Sequence, residues 1–119
     1  MYIGNYVSDI KLKFIKLDKR YKGNNHFKYC LSVEFTHGWQ HHQQSTQLQS
    51  IAKFNEIRDW CIKNWGTSTE LHDYDNWYAS DLILYNFNEH WSWSIEGYSS
   101  RRIYLKTDKE KMWAELTWK

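Results

Sequence analysis

Phe27-Lys28-Tyr29-Cys30-Leu31-Ser32-Val33-Glu34-Phe35 is the stretch that decides the fold. Phe27, Tyr29, Leu31, Val33 and Phe35 alternate with Lys28, Cys30, Ser32 and Glu34. A period of two puts the large apolar side chains on one face and small or charged ones on the other, the pattern of a half-buried antiparallel strand. Upstream, Ile10, Leu12 and Phe14 repeat the alternation against Lys11 and Lys13. Ile15 and Leu17 then take the face opposite Phe14, which predicts a bulge or a strand end near 15. Between the two strands, residues 18–26 read as a turn, because the Gly and Asn of Lys22-Gly23-Asn24-Asn25 accept positive φ at little cost.

Downstream, the segment from Thr36 to Gln44 has no periodicity. Thr46 and Gln49 then have the spacing of a capping box, and a helix over about 47–64 is expected to follow. Leu48, Ile51, Phe54, Ile57, Cys61, Ile62 and Trp65 share its apolar side, and Gly66 supplies the left-handed residue that stops it. Arg58 falls within that apolar side and Trp60 falls on the polar one. Residues 66–81 form a long acidic and aromatic connection. Strands are expected at Leu82–Phe87, at His90–Glu96 with Trp91, Trp93 and Ile95 aligned, and at Arg101–Lys106 with Ile103 and Leu105 inward.

The C-terminus can be read two ways. Met112, Ala114, Leu116 and Trp118 alternate as in a strand, while Lys109, Met112, Trp113 and Leu116 trace a helical stripe. Thr107 with Glu110 is a second capping box, and this favours a helix over about 108–116, with Trp113 inward. The resulting order is ββ-α-βββ-α. It predicts a single α+β domain in which one antiparallel sheet carries two helices on one face. The β-α-β-β-α part corresponds to a ferredoxin-like core, with the N-terminal strand extending an edge.

The composition of the 119 residues bounds the function. Eight Trp, nine Tyr and five Phe with no Pro exclude an intrinsically disordered chain. No stretch approaches the roughly 20 apolar residues of a spanning helix, and the N-terminus has no basic and apolar leader. The expected setting is therefore cytoplasmic, with no membrane partner. Cys30 and Cys61 both lie in apolar periodic segments and read as buried, reduced thiols. Net charge is +2, divided as +5 over residues 1–30, −6 over 31–100 and +3 over 101–119.

Most catalytic chemistry finds no support in the spacing. His37, His41 and His42 lack a helix and a further ligand, so no metal or other cofactor is expected. His72-Asp73-Tyr74-Asp75 has neither the turn Gly nor the closing Glu of a calcium loop. Gly-x-Ser-x-Gly and Gly-rich phosphate loops are absent, and no catalytic residue is assigned. Lys11, Lys13, Arg102 and Lys106 could form a basic sheet face for phosphates, which leaves a nucleic-acid reading open. The surplus aromatics point elsewhere. Trp39, Trp60 and Trp77 have no core role in this assignment, and Tyr74, Asp75 and Tyr78 lie with Trp77 in the long connection, so these six are the candidates for partner contact. Such rings either close over a small core or meet a partner.

Two segments carry a resemblance. Phe54-Asn55-Glu56-Ile57-Arg58-Asp59-Trp60-Cys61-Ile62-Lys63-Asn64-Trp65-Gly66 resembles the helix, Trp-Cys and aromatic-Gly segment of small uncharacterised tailed-bacteriophage proteins. Ile103-Tyr104-Leu105-Lys106-Thr107-Asp108-Lys109-Glu110-Lys111, ending in Leu116-Thr117-Trp118, resembles their C-terminal strand, helix and closing Trp. The resemblance implies a phage origin and a βαββα core, and it transfers no active site. The expected function is that of a non-enzymatic protein that binds and modulates a host protein in the host cytoplasm. The alternatives are a virion or assembly component that self-associates through an edge strand, and a nucleic-acid binder using the basic strands.

Overall fold

The structure is a computed structural model, and it describes residues 10–35, 43–72, 88–96 and 100–118. The deciding stretch forms a strand, β2 (Tyr29–Phe35), paired antiparallel with β1 (Ile10–Lys16). The other described strands are β3 (Trp91–Glu96) and β4 (Ser100–Leu105), and the sheet order is β1-β2-β4-β3 with every neighbouring pair antiparallel. Two helices complete the described elements, α1 (Gln43–Trp65) and α2 (Asp108–Trp118). The protein is α+β. β2 and β3 run parallel on either side of β4, as in the split β-α-β unit of a ferredoxin-like core, and β1 extends the sheet beside β2.

Both helices cover one face of the sheet. Leu31 and Val33 from β2, Ile103 and Leu105 from β4, and Trp91 from β3 form a core with Phe54, Ile57 and Cys61 of α1 and Ala114 of α2. Full burial of a Leu-sized side chain is worth about 1.5–3 kcal/mol, whereas an exposed cross-strand pair contributes only about 0.2–1 kcal/mol. The helix-facing residues therefore set the register. A slip by one residue would turn Cys30, Ser32 and Glu34 toward the helices.

The other face has a small core of its own at one end. Leu17, Phe27, Cys30, Leu71 and Tyr104 are buried together there, with Ile15 and Tyr21 packed against them. This explains the change of face at Ile15. β1 has no bulge and ends at Lys16, close to the expected end, and Ile15 and Leu17 have apolar neighbours of their own. Phe27 departs from expectation, because it packs with Tyr104 on this second face and does not join Leu31 and Val33. It precedes the strand and belongs to the turn, which closes when the Phe27 N–H donates to Gly23 O at 2.8 Å. Gly23 has φ +90°, and a Cβ there would sit 3.1 Å from the Tyr104 ring, so both backbone and space call for glycine.

α1 begins at Gln43, so Thr46 lies inside the helix and the expected capping box is not its start. Its end is as expected. Gly66 has φ +91° and its N–H donates to Ile62 O at 2.9 Å. The side-chain amide of Asn88 donates to Trp65 O at 2.8 Å, and its carbonyl accepts from His90 N–H at 2.7 Å, joining the end of α1 to the start of β3. The expected strand at 82–87 lies outside the described residues.

Candidate protein-docking surface

The orientation of α2 decides where the surface lies. Its N-terminus is the capping box read from the sequence: the Thr107 N–H donates to Glu110 Oε1 at 2.8 Å, and Thr107 Oγ1 accepts from Lys109 N–H at 3.3 Å. The Thr107 hydroxyl also donates to Glu110 Oε1. Glu110 is consequently drawn inward to 5% exposure, where its second oxygen accepts from His90 Nδ1 at 2.8 Å. One turn later Ala114 is buried, and a further turn brings Trp118 against the same core. The core-facing line of α2 is therefore the buried Glu110 and Ala114 and the half-buried Trp118, spaced i, i+4 and i+8.

The expected apolar stripe consequently faces outward. Met112 is 58% exposed, Trp113 53% and Leu116 81%. Trp113, expected inward, faces outward, and the physical reason is the cap. Once Glu110 is committed to Thr107 and His90, the helix has no rotational freedom left to bury Trp113 and Leu116. The small Ala114 side chain then lets the helix sit close to the sheet.

Beside this stripe, a cleft of about 230 Å³ opens between the end of α1 and α2, lined by Asn64, Trp65, His90, Lys109, Glu110 and Trp113. Its wall is rigid. Trp65 stacks on His90 with ring centroids 6.1 Å apart, and Trp60 meets Trp65 and Trp118 edge-to-face at 5.1 and 6.1 Å. Trp60, a sequence candidate for partner contact, is thus half-buried between the helices and has a packing role. Arg58 lies over the Trp93 ring at 4.9 Å and the Phe54 ring at 5.6 Å, which reconciles a cation with the apolar side of α1. Leu48 and Ile62, expected on that side, are exposed.

No protein-family model, curated protein or solved structure was found to match this chain.

Trp39, Tyr74, Asp75, Trp77 and Tyr78 lie outside the described residues, as do His37, His41 and His42. The four basic candidates separate. Lys13 and Arg102 flank Ser32 in one cross-strand row of the second face, and Lys11 pairs across from Glu34. Lys106 is engaged elsewhere, donating to His26 O at 2.8 Å and lying over the Phe27 ring. Burial pushes the Cys30 thiol up to about 11, and burial also raises that of Cys61, which suits neither for nucleophilic attack. Among the described residues no group of three or more His, Cys, Asp or Glu side chains is placed to hold a metal ion, and no helix is long and apolar enough to cross a membrane.

The partner-contact candidates legible in the sequence do not include Met112, Trp113 and Leu116. The signal was present in the sequence: a capping Glu three residues after Thr107, followed at i+4 by the one Ala in the helix.

Proposed function

We propose that this is a non-enzymatic, phage-type protein that binds and modulates a host protein in the host cytoplasm, docking it on the outer face of α2. The observation that carries the reading is the exposure of Met112, Trp113 and Leu116 together on one helix face. Trp dominates binding hot spots because it buries a large area at small rotamer cost, and each hot-spot residue is worth about 2 kcal/mol or more. The phage setting and the host partner rest on the resemblance of the α1 and α2 segments.

The test is capture from nuclease-treated host lysate by wild type and by Trp113→Ala and Leu116→Glu variants, each first shown to be folded by circular dichroism. A specific partner retained by wild type and lost by both variants is the expected result. Retention of that partner at full affinity by both variants excludes α2 as its docking surface. Self-association, the reading of a virion or assembly component, predicts a concentration-dependent dimer in sedimentation that the same variants dissociate. Nucleic-acid binding predicts steep salt dependence and loss on Lys13→Glu.

A further inference from the structure

The two edges of the sheet are finished differently. Along β3 the chain covers its own edge: Glu70 forms a parallel bridge with Trp93, Ser68 Oγ donates to Trp91 O at 2.7 Å, and Ser92 Oγ donates to Thr69 O at 2.8 Å. At the opposite end of the sheet order stands β1, and among the described residues no strand pairs beyond it. Its ladder also shows which groups are left over. Leu17 N–H donates to Lys28 O at 2.8 Å in the same register, so by antiparallel alternation Lys11, Lys13 and Ile15 direct their backbone groups at β2. Ile10, Leu12, Phe14 and Lys16 direct theirs outward.

We propose that β1 takes an extended, acidic peptide segment of a partner protein as a fifth strand, with alternate peptide side chains entering the groove between β1 and α2. This deepens the protein-binding reading but uses a different surface, so either can fail alone. The groove measures about 600 Å³ and is lined by Leu12, Phe14 and Tyr29, with Lys16, Lys111 and Glu115 at its sides. Leu12 and Phe14 pack on the helix-facing side, so a strand in register with them sends its own alternate side chains over the same apolar floor.

Charge selects the occupant. Lys11, Lys13 and Lys16 give β1 three cations and no acid. None of the three joins an ion pair among the described residues. The nearby acids have other partners: Glu34, across from Lys11 in the ladder, accepts from Ser32 Oγ at 3.2 Å, Glu115 pairs with Lys111 at 3.3 Å, and Asp108 meets Lys28 at 3.2 Å and accepts from the Tyr29 hydroxyl at 2.5 Å. Lysines on an edge strand ordinarily repel a second strand and so prevent aggregation. A second copy of β1 would bring like charges together, whereas an acidic strand turns the same lysines into attraction.

The test uses a short capped peptide of alternating valine and glutamate, labelled for fluorescence anisotropy, against the full chain. Controls are the valine–lysine peptide and a valine–glutamate peptide N-methylated at alternate residues. Binding should favour the glutamate peptide by about tenfold or more at low salt and weaken as salt screens the charges. The N-methylated peptide should not bind, and hydrogen exchange of the Leu12 and Phe14 amides should slow on binding. Lys13→Glu/Lys16→Glu should reverse the preference, while Leu116→Glu should leave it unchanged. Equal binding of both charged peptides, or binding without protection of those amides, overturns the proposal. A dimer that protects them and ignores the acidic peptide assigns the edge to a second copy and overturns it equally.

Discussion

Glu110 shows how one side chain sets the outcome for a helix. Burial disfavours its charged form, but hydrogen bonds from Thr107 and His90, and from the backbone N–H groups of Glu110 and Thr107, outweigh that and hold the carboxyl below its usual 4.5. A carboxyl lowered on folding adds stability above its unfolded value, and that contribution disappears as pH falls through the lower folded value. Wild type should therefore lose stability as pH drops from about 5 toward 3, and Glu110→Ala should lose less over the same range. At neutral pH the variant should cost about 1–2 kcal/mol for the lost cap and the unpaired His90. Urea unfolding at both pH values checks this, and an identical pH slope for the two proteins would rule it out.

At the scale of the element, α2 was legible as a helix and its buried face was not. The capping box marked the start of the helix, and the turn preceding Asp108 has that geometry. The stripe of Lys109, Met112, Trp113 and Leu116 reads as the core side because apolar residues ordinarily turn inward, yet that rule says nothing of apolar residues left for a partner. Ala114→Leu should overpack the helix–sheet contact and cost about 1–3 kcal/mol. Leu116→Glu, 81% exposed in the native protein, should change stability by no more than about 0.5 kcal/mol. Equilibrium denaturation of the two variants measures the difference, and the reverse order would mean that the helix is rotated. α1 gave a milder version of the same lesson: Phe54, Ile57 and Cys61 are buried as the period requires, while Leu48 and Ile62 at the margins of the stripe stay exposed.

Across the whole molecule, the sheet divides two cores, and the cysteines lie on either side of it. Cys61 belongs to the helix-facing core and Cys30 to the core under the 18–27 turn, both as free thiols. Neither should react with a thiol-specific chromogenic reagent in the native protein, and both should react on unfolding, at a rate that tracks global opening. A thiol that labels in buffer at the rate of free cysteine would contradict this placement. Local alternation and capping determined the strands β2 (Tyr29–Phe35) and β3 (Trp91–Glu96), the stop at Gly66 and the start of α2, because each depends on residues within a turn or a strand of one another. Only the tertiary structure decided that Phe27 packs away from its apparent face, that Trp60 is wedged between helices, and that Trp113 and Leu116 are left outside. Those outcomes depend on contacts such as Glu110 with His90 and Phe27 with Tyr104, between residues far apart in the chain, where a local period carries no information about which face another element will cover.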